Sequence, residues 1–332
     1  MIFMEEIFTK INNLYGINVS SSEKVAGGFL SENYFLLAGA DRFFLKKYRF
    51  DNPNRIAEVH DSKKYFADGG IPVILPIPLL DGKTFFEYNS AYYALFPFVE
   101  GRHIEEGELT EKAIISLGQM LGKIHILGKE SKLAIEDHFK IEKDEKIFKK
   151  IEDILIKILE VNNPSDFDKT ALQIIRIKKE LLLKNRITYE SLGLKNDHLI
   201  HGDYLAHNIF FDENDNVKWV FDFEKTNYSP RTYELFRSMM CSIPSDNFTK
   251  ADVDNFKKYI DAYSSIYPIS NDEIRRGLQL YFIKTIHGFW VESEHYLKGN
   301  TRVDHFISDN YNRIKYLSLN LDELIDVLCS NL

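Results

Sequence analysis

Cysteine is scarce. Cys241 and Cys329 are the only two in 332 residues, too few for a disulfide framework, and they read as buried thiols of a reducing compartment. Long hydrophobic runs are also missing. The most apolar stretch, IPVILPIPLL at 71–80, is ten residues long and holds three prolines, whereas a spanning helix needs about 20 apolar residues. The N-terminal MIFMEEIFTK places Glu5 and Glu6 where a secretory leader would carry Lys or Arg. The expectation is a cytoplasmic protein without a membrane partner. A basic excess is missing too: 42 Lys and Arg face 50 Asp and Glu, a net charge of −8, which argues against a protein that coats nucleic acid. Several motifs do not occur: GxxxxGK[ST], GxGxxG after a strand, GxSxG and CxxC. Their absence removes the phosphate-loop, dinucleotide-fold, serine-hydrolase and zinc-ribbon readings.

What is present is an ordinary globular composition, 44% hydrophobic and 28% charged, in a chain long enough for about two domains or lobes. Residues 1–20 read as a short helix. Residues 23–48 hold three apolar runs, EKVAGG, NYFLLA and RFFLKKY, separated by turn residues, the pattern of a three-strand meander. Asn52-Pro53 then opens a helix that Gly69-Gly70 closes, because Asn caps well and Pro suits the first helical position. KTFFEY and SAYYALFPFV supply two more strands. From about 110 the period becomes helical, broken at 198–224 by two apolar runs around the polar turn DENDN, a hairpin pattern. A β-rich first third followed by a helical remainder is an α+β, bilobal arrangement.

The densest polar cluster is His198, His201, Asp203, His207, Asn208 and Asp212, followed by Asp222 and Glu224. Three readings compete. A transition-metal hydrolase would use the histidines, but two His at i, i+4 on a helix are not there. A structural reading takes them as turn residues bonding locally. A phosphoryl-transfer reading needs a carboxylate to take the acceptor's proton, then an Asn and a second Asp to hold Mg²⁺ on the phosphates, written H-R-D-x4-N and D-F-G in protein kinases. Here His201-Gly202-Asp203 leads by the same D-x4-N spacing to Asn208, and a 14-residue hairpin step reaches Asp222-Phe223-Glu224.

HGDYLAHNIFF…VFDFE resembles the signature of the aminoglycoside phosphotransferase and choline kinase superfamily, whose fold is similar to that of protein kinases. The resemblance implies a small antiparallel-sheet N-lobe with one helix over residues 1–95, a hinge at 96–101 and a larger, mostly helical C-lobe over 102–332. It implies Asp203 as catalytic base, Asn208 and Asp222 as Mg²⁺ ligands, and ATP between the lobes. Upstream, Ala26-Gly27-Gly28-Phe29-Leu30-Ser31-Glu32-Asn33 resembles the family's nucleotide loop, with Gly27, Gly28 and Ser31 against phosphate; the alternative is a plain turn. Lys46 and Lys47 alternate on the third strand, and Lys46 follows an aliphatic residue as the family's strand lysine does. Glu58 on the next helix is the expected partner of Lys46, or else a solvated helix residue. Phe96-Pro97-Phe98-Val99-Glu100-Gly101 resembles the hinge that contacts adenine, and Phe96 and Phe98 read equally well as core. Glu234 lies in the region SPRTYEL, where the family carries an Asp bracing the active-site loops.

The middle of the loop, Tyr204 to His207, departs from the family's H-G-D-L-H-P-G-N, which leaves the acceptor open: aminoglycoside, choline or ethanolamine, homoserine or sugar-like. Trp290, Glu292, Glu294 and His295 form a polar-aromatic cluster that would suit a cationic amine, or would simply be one face of an amphipathic helix. A non-catalytic relative of the fold and a protein Ser/Thr kinase are the rival functions. The second is disfavoured because Asp222 to Glu234 leaves no room for an activation segment.

Overall fold

The computed structural model describes residues 2–25, 32–245 and 248–330. Five strands form one antiparallel sheet in the order β1-β2-β3-β5-β4: β1 Ser21–Lys24, β2 Tyr34–Ala38, β3 Asp41–Lys47, β4 Phe86–Tyr88 and β5 Ala91–Pro97. Side-chain alternation gives this sheet two apolar faces. Leu36, Leu45, Tyr93 and Leu95 pack with Ile7 and Ile11 of helix α1 (Ile2–Tyr15). Tyr48, Ala94 and Phe96 pack on the other side with Ile56 of α2 (Pro53–Asp68). The sheet therefore carries a helix on each face, the one expected at residues 1–20 and the one that opens at Asn52-Pro53. The Asn52 side chain caps α2 by accepting from the Asn54 N–H, as Asn-Pro predicts.

The proline-rich segment 71–80 runs back along the sheet and ties it to the rest of the chain. Val73 bridges Val220, whose N–H donates to the Pro72 carbonyl at 2.8 Å. Beyond β5 the chain is mostly helical: α3 Glu111–Glu130, α4 Asp144–Leu159, α5 Asp166–Lys184, α6 Tyr189–Leu192, α7 Arg231–Ser242, α8 Lys250–Ile266, α9 Asn271–His287, α10 Trp290–Lys298 and α11 Ile307–Cys329. Among the described residues no helix is long and apolar enough to cross a membrane.

Two short strand pairs interrupt the helices. β6 (His198–Ile200) pairs with β9 (Asn227–Ser229), and β7 (Ile209–Phe211) with β8 (Val217–Val220). Asp212 organises the β7–β8 turn by accepting from the Asn214 and Asn216 N–H groups, both at 2.8 Å. At Gly128 the backbone of α3 lies directly on β6, and any side chain there would collide with the Leu199 carbonyl. That close approach seats the strand from which residues 201–208 depart.

Candidate active site

Lys46 stands on β3 opposite Ala94 of β5, so it shares the sheet face that looks toward the helical lobe, while Lys47 points away and reaches Glu32 at 3.5 Å. The Lys46 ammonium lies 2.7 Å from Asp222 Oδ1 and 2.8 Å from Glu224 Oε1. Burial opposes its charge, but these two carboxylates outweigh burial and hold the ammonium well above its ordinary value. Glu224 is itself buried and takes Arg49 Nη2 on its other oxygen at 3.0 Å.

Glu58 is not the partner of Lys46. Its carboxylate pairs with Arg55 one turn earlier at 2.9 Å and accepts from the Glu136 N–H at 3.3 Å. The face of α2 turned toward the sheet carries Ile56, His60 and Lys63 instead. Arg55 in turn donates to the carbonyls of Glu224 and Thr226, at 2.8 and 2.6 Å. The helix is therefore fastened to the Asp222-Phe223-Glu224 segment through Arg55 rather than through an acid.

The loop after β6 places Asp203. Its Oδ2 accepts from Lys225 Nζ at 2.8 Å, and its Oδ1 lies 2.5 Å from Arg237 Nη1. Burial works against the carboxylate, yet the Arg237 and Lys225 charges prevail and keep it ionised far below the usual range. The neighbouring contacts hold this loop in one shape. His201 Nε2 donates to the Phe221 carbonyl at 2.9 Å, and its Nδ1 accepts from the Asp203 N–H at 3.2 Å. Burial holds its imidazole neutral. Glu234 accepts from the backbone N–H groups of His201 and Gly202 at 3.1 and 2.5 Å, and from His125 Nε2 at 3.1 Å. Gly202 has φ +86° and its missing side chain leaves room for the Lys225 carbonyl, so no other residue fits both demands. Asn208 is buried and donates from Nδ2 to the Asp203 carbonyl at 2.8 Å.

Asp222 is one of few non-glycine residues with a left-handed backbone, at φ +64°. Such strain concentrates at functional positions. Burial raises its carboxyl, but Lys46 pulls it down to about 2. Asn208 and Asp222 offer hard oxygen donors of the kind Mg²⁺ takes, and the buried Glu224 Oε1 beside them has no hydrogen-bond partner beyond its ion pair with Lys46. The donor chemistry fits that cation. Among the described residues there is no cluster of three or more His, Cys, Asp or Glu able to hold a metal, in keeping with an ion bound by one or two protein groups plus phosphates.

Phe96 is a core residue: it pairs with Phe44 in the ladder and its ring lies under the Lys63 ammonium at 4.5 Å. Phe98 stacks under Arg42 at 4.0 Å, and its N–H donates to the Arg42 carbonyl at 3.3 Å. Gly27, Gly28 and Ser31 lie outside the described residues. The late cluster does not form an open acidic face. Glu292 is wholly buried, Glu294 is taken by Lys298 and Asn300 at 2.6 and 2.9 Å, and His295 pairs with Asp304 at 2.9 Å.

Lys225, Arg237, Arg49 and Arg55 were not singled out from sequence. Lys225 follows Asp222 within the same short segment, so its proximity to Asp203 is the most recoverable of the four. The others reach the site only through the packing of helices and strands remote in the chain.

Comparison with known proteins bears on the fold and the family. A spectinomycin phosphotransferase solved with ADP and spectinomycin superposes with a TM-score of 0.66 at 15% identity, covering 96% of this chain and 98% of that one. Choline kinase from Cryptosporidium parvum Iowa II gives 0.59 at 15% identity, covering 99% of each. The fold is thus the protein-kinase-like one. Stress response kinase A from Escherichia coli K12 is 27% identical over 119 residues, and the chain spans 35% of that relative's length. The family described as the phosphotransferase enzyme family matches residues 21–269, and the chain belongs to that family of phosphotransferases.

Proposed function

We propose that the protein is an ATP- and Mg²⁺-dependent kinase that transfers the γ-phosphoryl group to a hydroxyl of a small molecule. The observation that carries this reading is the meeting of Lys46 from the sheet with Asp222 and Glu224, next to a catalytic loop that presents Asp203. In the proposed division, residues 1–95 bind nucleotide, 96–101 form the hinge at adenine, and 102–332 carry the catalytic loop and acceptor site. Phe98 is assigned to the adenine end, and Gly27, Gly28 and Ser31, outside the described residues, are assigned to phosphate. The solution of a like-folded phosphotransferase with ADP, and of an amicoumacin kinase with AMP-PNP and Ca²⁺, supports a nucleotide between the lobes.

In this scheme Lys46 holds the phosphates and Asn208 and Asp222 hold Mg²⁺, which would supply charge neutralisation there. Asp203 orients the acceptor hydroxyl and receives its proton. The bond from γ-phosphorus to the β,γ-bridging oxygen breaks, a bond to the acceptor oxygen forms, and ADP leaves. Phosphoryl transfer asks little covalent work of the protein, so positioning and charge dominate. The test is label transfer from γ-labelled ATP with Mg²⁺ to pooled hydroxyl compounds, beside Asp203→Asn. Label on a small molecule with the native protein alone supports the reading. Equal turnover by both proteins overturns it.

A further inference from the structure

Most of α7 is buried, including Glu234, Leu235, Phe236, Met239 and Met240. Tyr233, Arg237 and Cys241 are its half-buried residues, and their spacing of four puts them on one stripe of the helix. This stripe begins beside Asp203, since Arg237 is the residue that meets Asp203 Oδ1. Two further helices close on it. From α9, Tyr281 OH lies 3.7 Å from Cys241 Sγ, and Lys284 sits 5.6 Å over the Tyr233 ring. From α11, Arg313 donates to the Met240 carbonyl at 3.3 Å.

Of the three cations gathered at this stripe, Arg237, Lys284 and Arg313, only Arg237 has a carboxylate at ion-pair distance among the described residues, Asp203. Asp203 is in ion-pair contact with both Lys225 and Arg237. Among the described residues, no carboxylate oxygen comes within ion-pair distance of Lys284 or Arg313; their hydrogen-bond acceptors are the Lys140 carbonyl, and the Met240 carbonyl and Asn310 amide. The acids that act on them from farther away include Glu142 and Glu106, already engaged with Lys150 and His207, and Asp309 one turn before Arg313. The cations also act on one another. Burial and then the Arg237 charge hold the Lys284 ammonium below its ordinary value, and both guanidiniums act on the Tyr281 hydroxyl. Like charges gathered in partly buried surroundings with fewer counter-ions than charges are costly, and a surface of one sign attracts the other. Guanidinium donors match planar and tetrahedral oxyanions.

We propose that the stripe of α7 with the facing residues of α9 and α11 is an acceptor subsite for an oxyanion, a carboxylate or phosphate borne by the molecule whose hydroxyl meets Asp203. Arg237 and Arg313 bind it, Lys284 adds charge, and the Tyr281 hydroxyl adds a donor. This rests on the kinase reading and narrows its substrate class: the acceptor is anionic, not a cationic amine.

The experiment compares gluconate, glucitol and glucamine, which differ only in carrying a carboxylate, an alcohol or an amine at one end, together with glycerol 3-phosphate against glycerol. Each is offered with γ-labelled ATP and Mg²⁺. The expected result is at least about tenfold higher kcat/KM for one of the anionic members than for its neutral or amine counterpart, the two anions separating carboxylate from phosphate. Arg313→Gln raises KM for that acceptor far more than it lowers kcat, and Arg313→Lys restores part of the loss. Inorganic phosphate serves as a fragment probe on the ADP-saturated protein, where calorimetric binding is expected and is lost in Arg313→Gln. Label preferring glucitol or glucamine overturns the oxyanion subsite and leaves the kinase reading standing. So does an Arg313→Gln protein with unchanged preference, or an active protein that neither binds phosphate nor labels an anion. ATP turnover indistinguishable from that of Asp203→Asn with every acceptor overturns the kinase reading and the subsite with it.

Discussion

Lys46 and Glu224 are partners across 178 positions of chain, with the ammonium 2.8 Å from a carboxylate that is almost wholly buried. A protein kinase fills that place with an acid from the helix after the lysine strand. Here the acid follows Asp222 by two residues and also secures Arg49.

Glu224→Gln therefore removes the shared partner of two cations, whereas Glu58→Gln removes only an intrahelical pair. The first is expected to cost about 3 kcal/mol of stability and at least about tenfold in turnover. The second is expected to cost about 0.5 kcal/mol with turnover nearly intact. Thermal unfolding and ATP-dependent label transfer check both, and equal damage from the two variants would contradict the pairing.

Asp203→Asn keeps the size of the side chain and removes its charge. Turnover is expected to fall by about 10²–10⁴-fold, while calorimetric affinity for nucleotide stays near that of the native protein, because the contacts of Lys46 and Asp222 are untouched.

Gly202→Ala forces a side chain into a left-handed residue and against the Lys225 carbonyl. The backbone term alone is about 1–2 kcal/mol, and the collision adds to it. The expected outcome is a lowered unfolding midpoint and loss of activity together, since the collision pushes apart the two segments that carry Asp203 and Lys225, the partner of its Oδ2. A variant with native stability and native turnover would refute the account of this loop.

Lys63 is buried between the sheet and α2, where it donates to the Ile74 carbonyl at 3.2 Å. Desolvation, helped by the Lys46 charge, pulls its ammonium down to about 7. The unfolded chain binds that proton up to its ordinary value near 10.4, so this group destabilises the fold fully below pH 7 and ceases to do so above about 10.4. Lys63→Met, close in volume, is expected to raise stability by about 1–2 kcal/mol at pH 7. The gain shrinks as pH rises and is gone near 10.4. Urea unfolding from pH 6 to 10.5 checks this, and a gain independent of pH would exclude the desolvation argument.

The parts of the site that were legible in sequence are those fixed by local rules. Strand alternation separates Lys46 from Lys47, and a hairpin of set length carries Asn208 to Asp222. Helix partners were harder to read. Glu58 and Lys63 are both on α2, and which of them turns inward depends on how the helix rolls against Phe96 and Phe223, a matter of packing volumes rather than spacing. Arg237 was invisible for the same reason: only the docking of α7 beside the catalytic loop brings it to Asp203. The polar-aromatic residues of α10 met the opposite outcome, being neighbours in sequence that find separate local partners.

One helix, α7, grips the loop of Asp203 from inside through Glu234 and turns Tyr233, Arg237 and Cys241 toward Asp203, α9 and α11. Whatever rests on that outer stripe is thereby indexed to Asp203 by a single rigid rod, with no joint between them. The remaining contributors, Lys284 and Arg313, sit on separate rods. A lineage of this enzyme could exchange them to change its diet of acceptors while the distance from bound hydroxyl to Asp203 stayed the same.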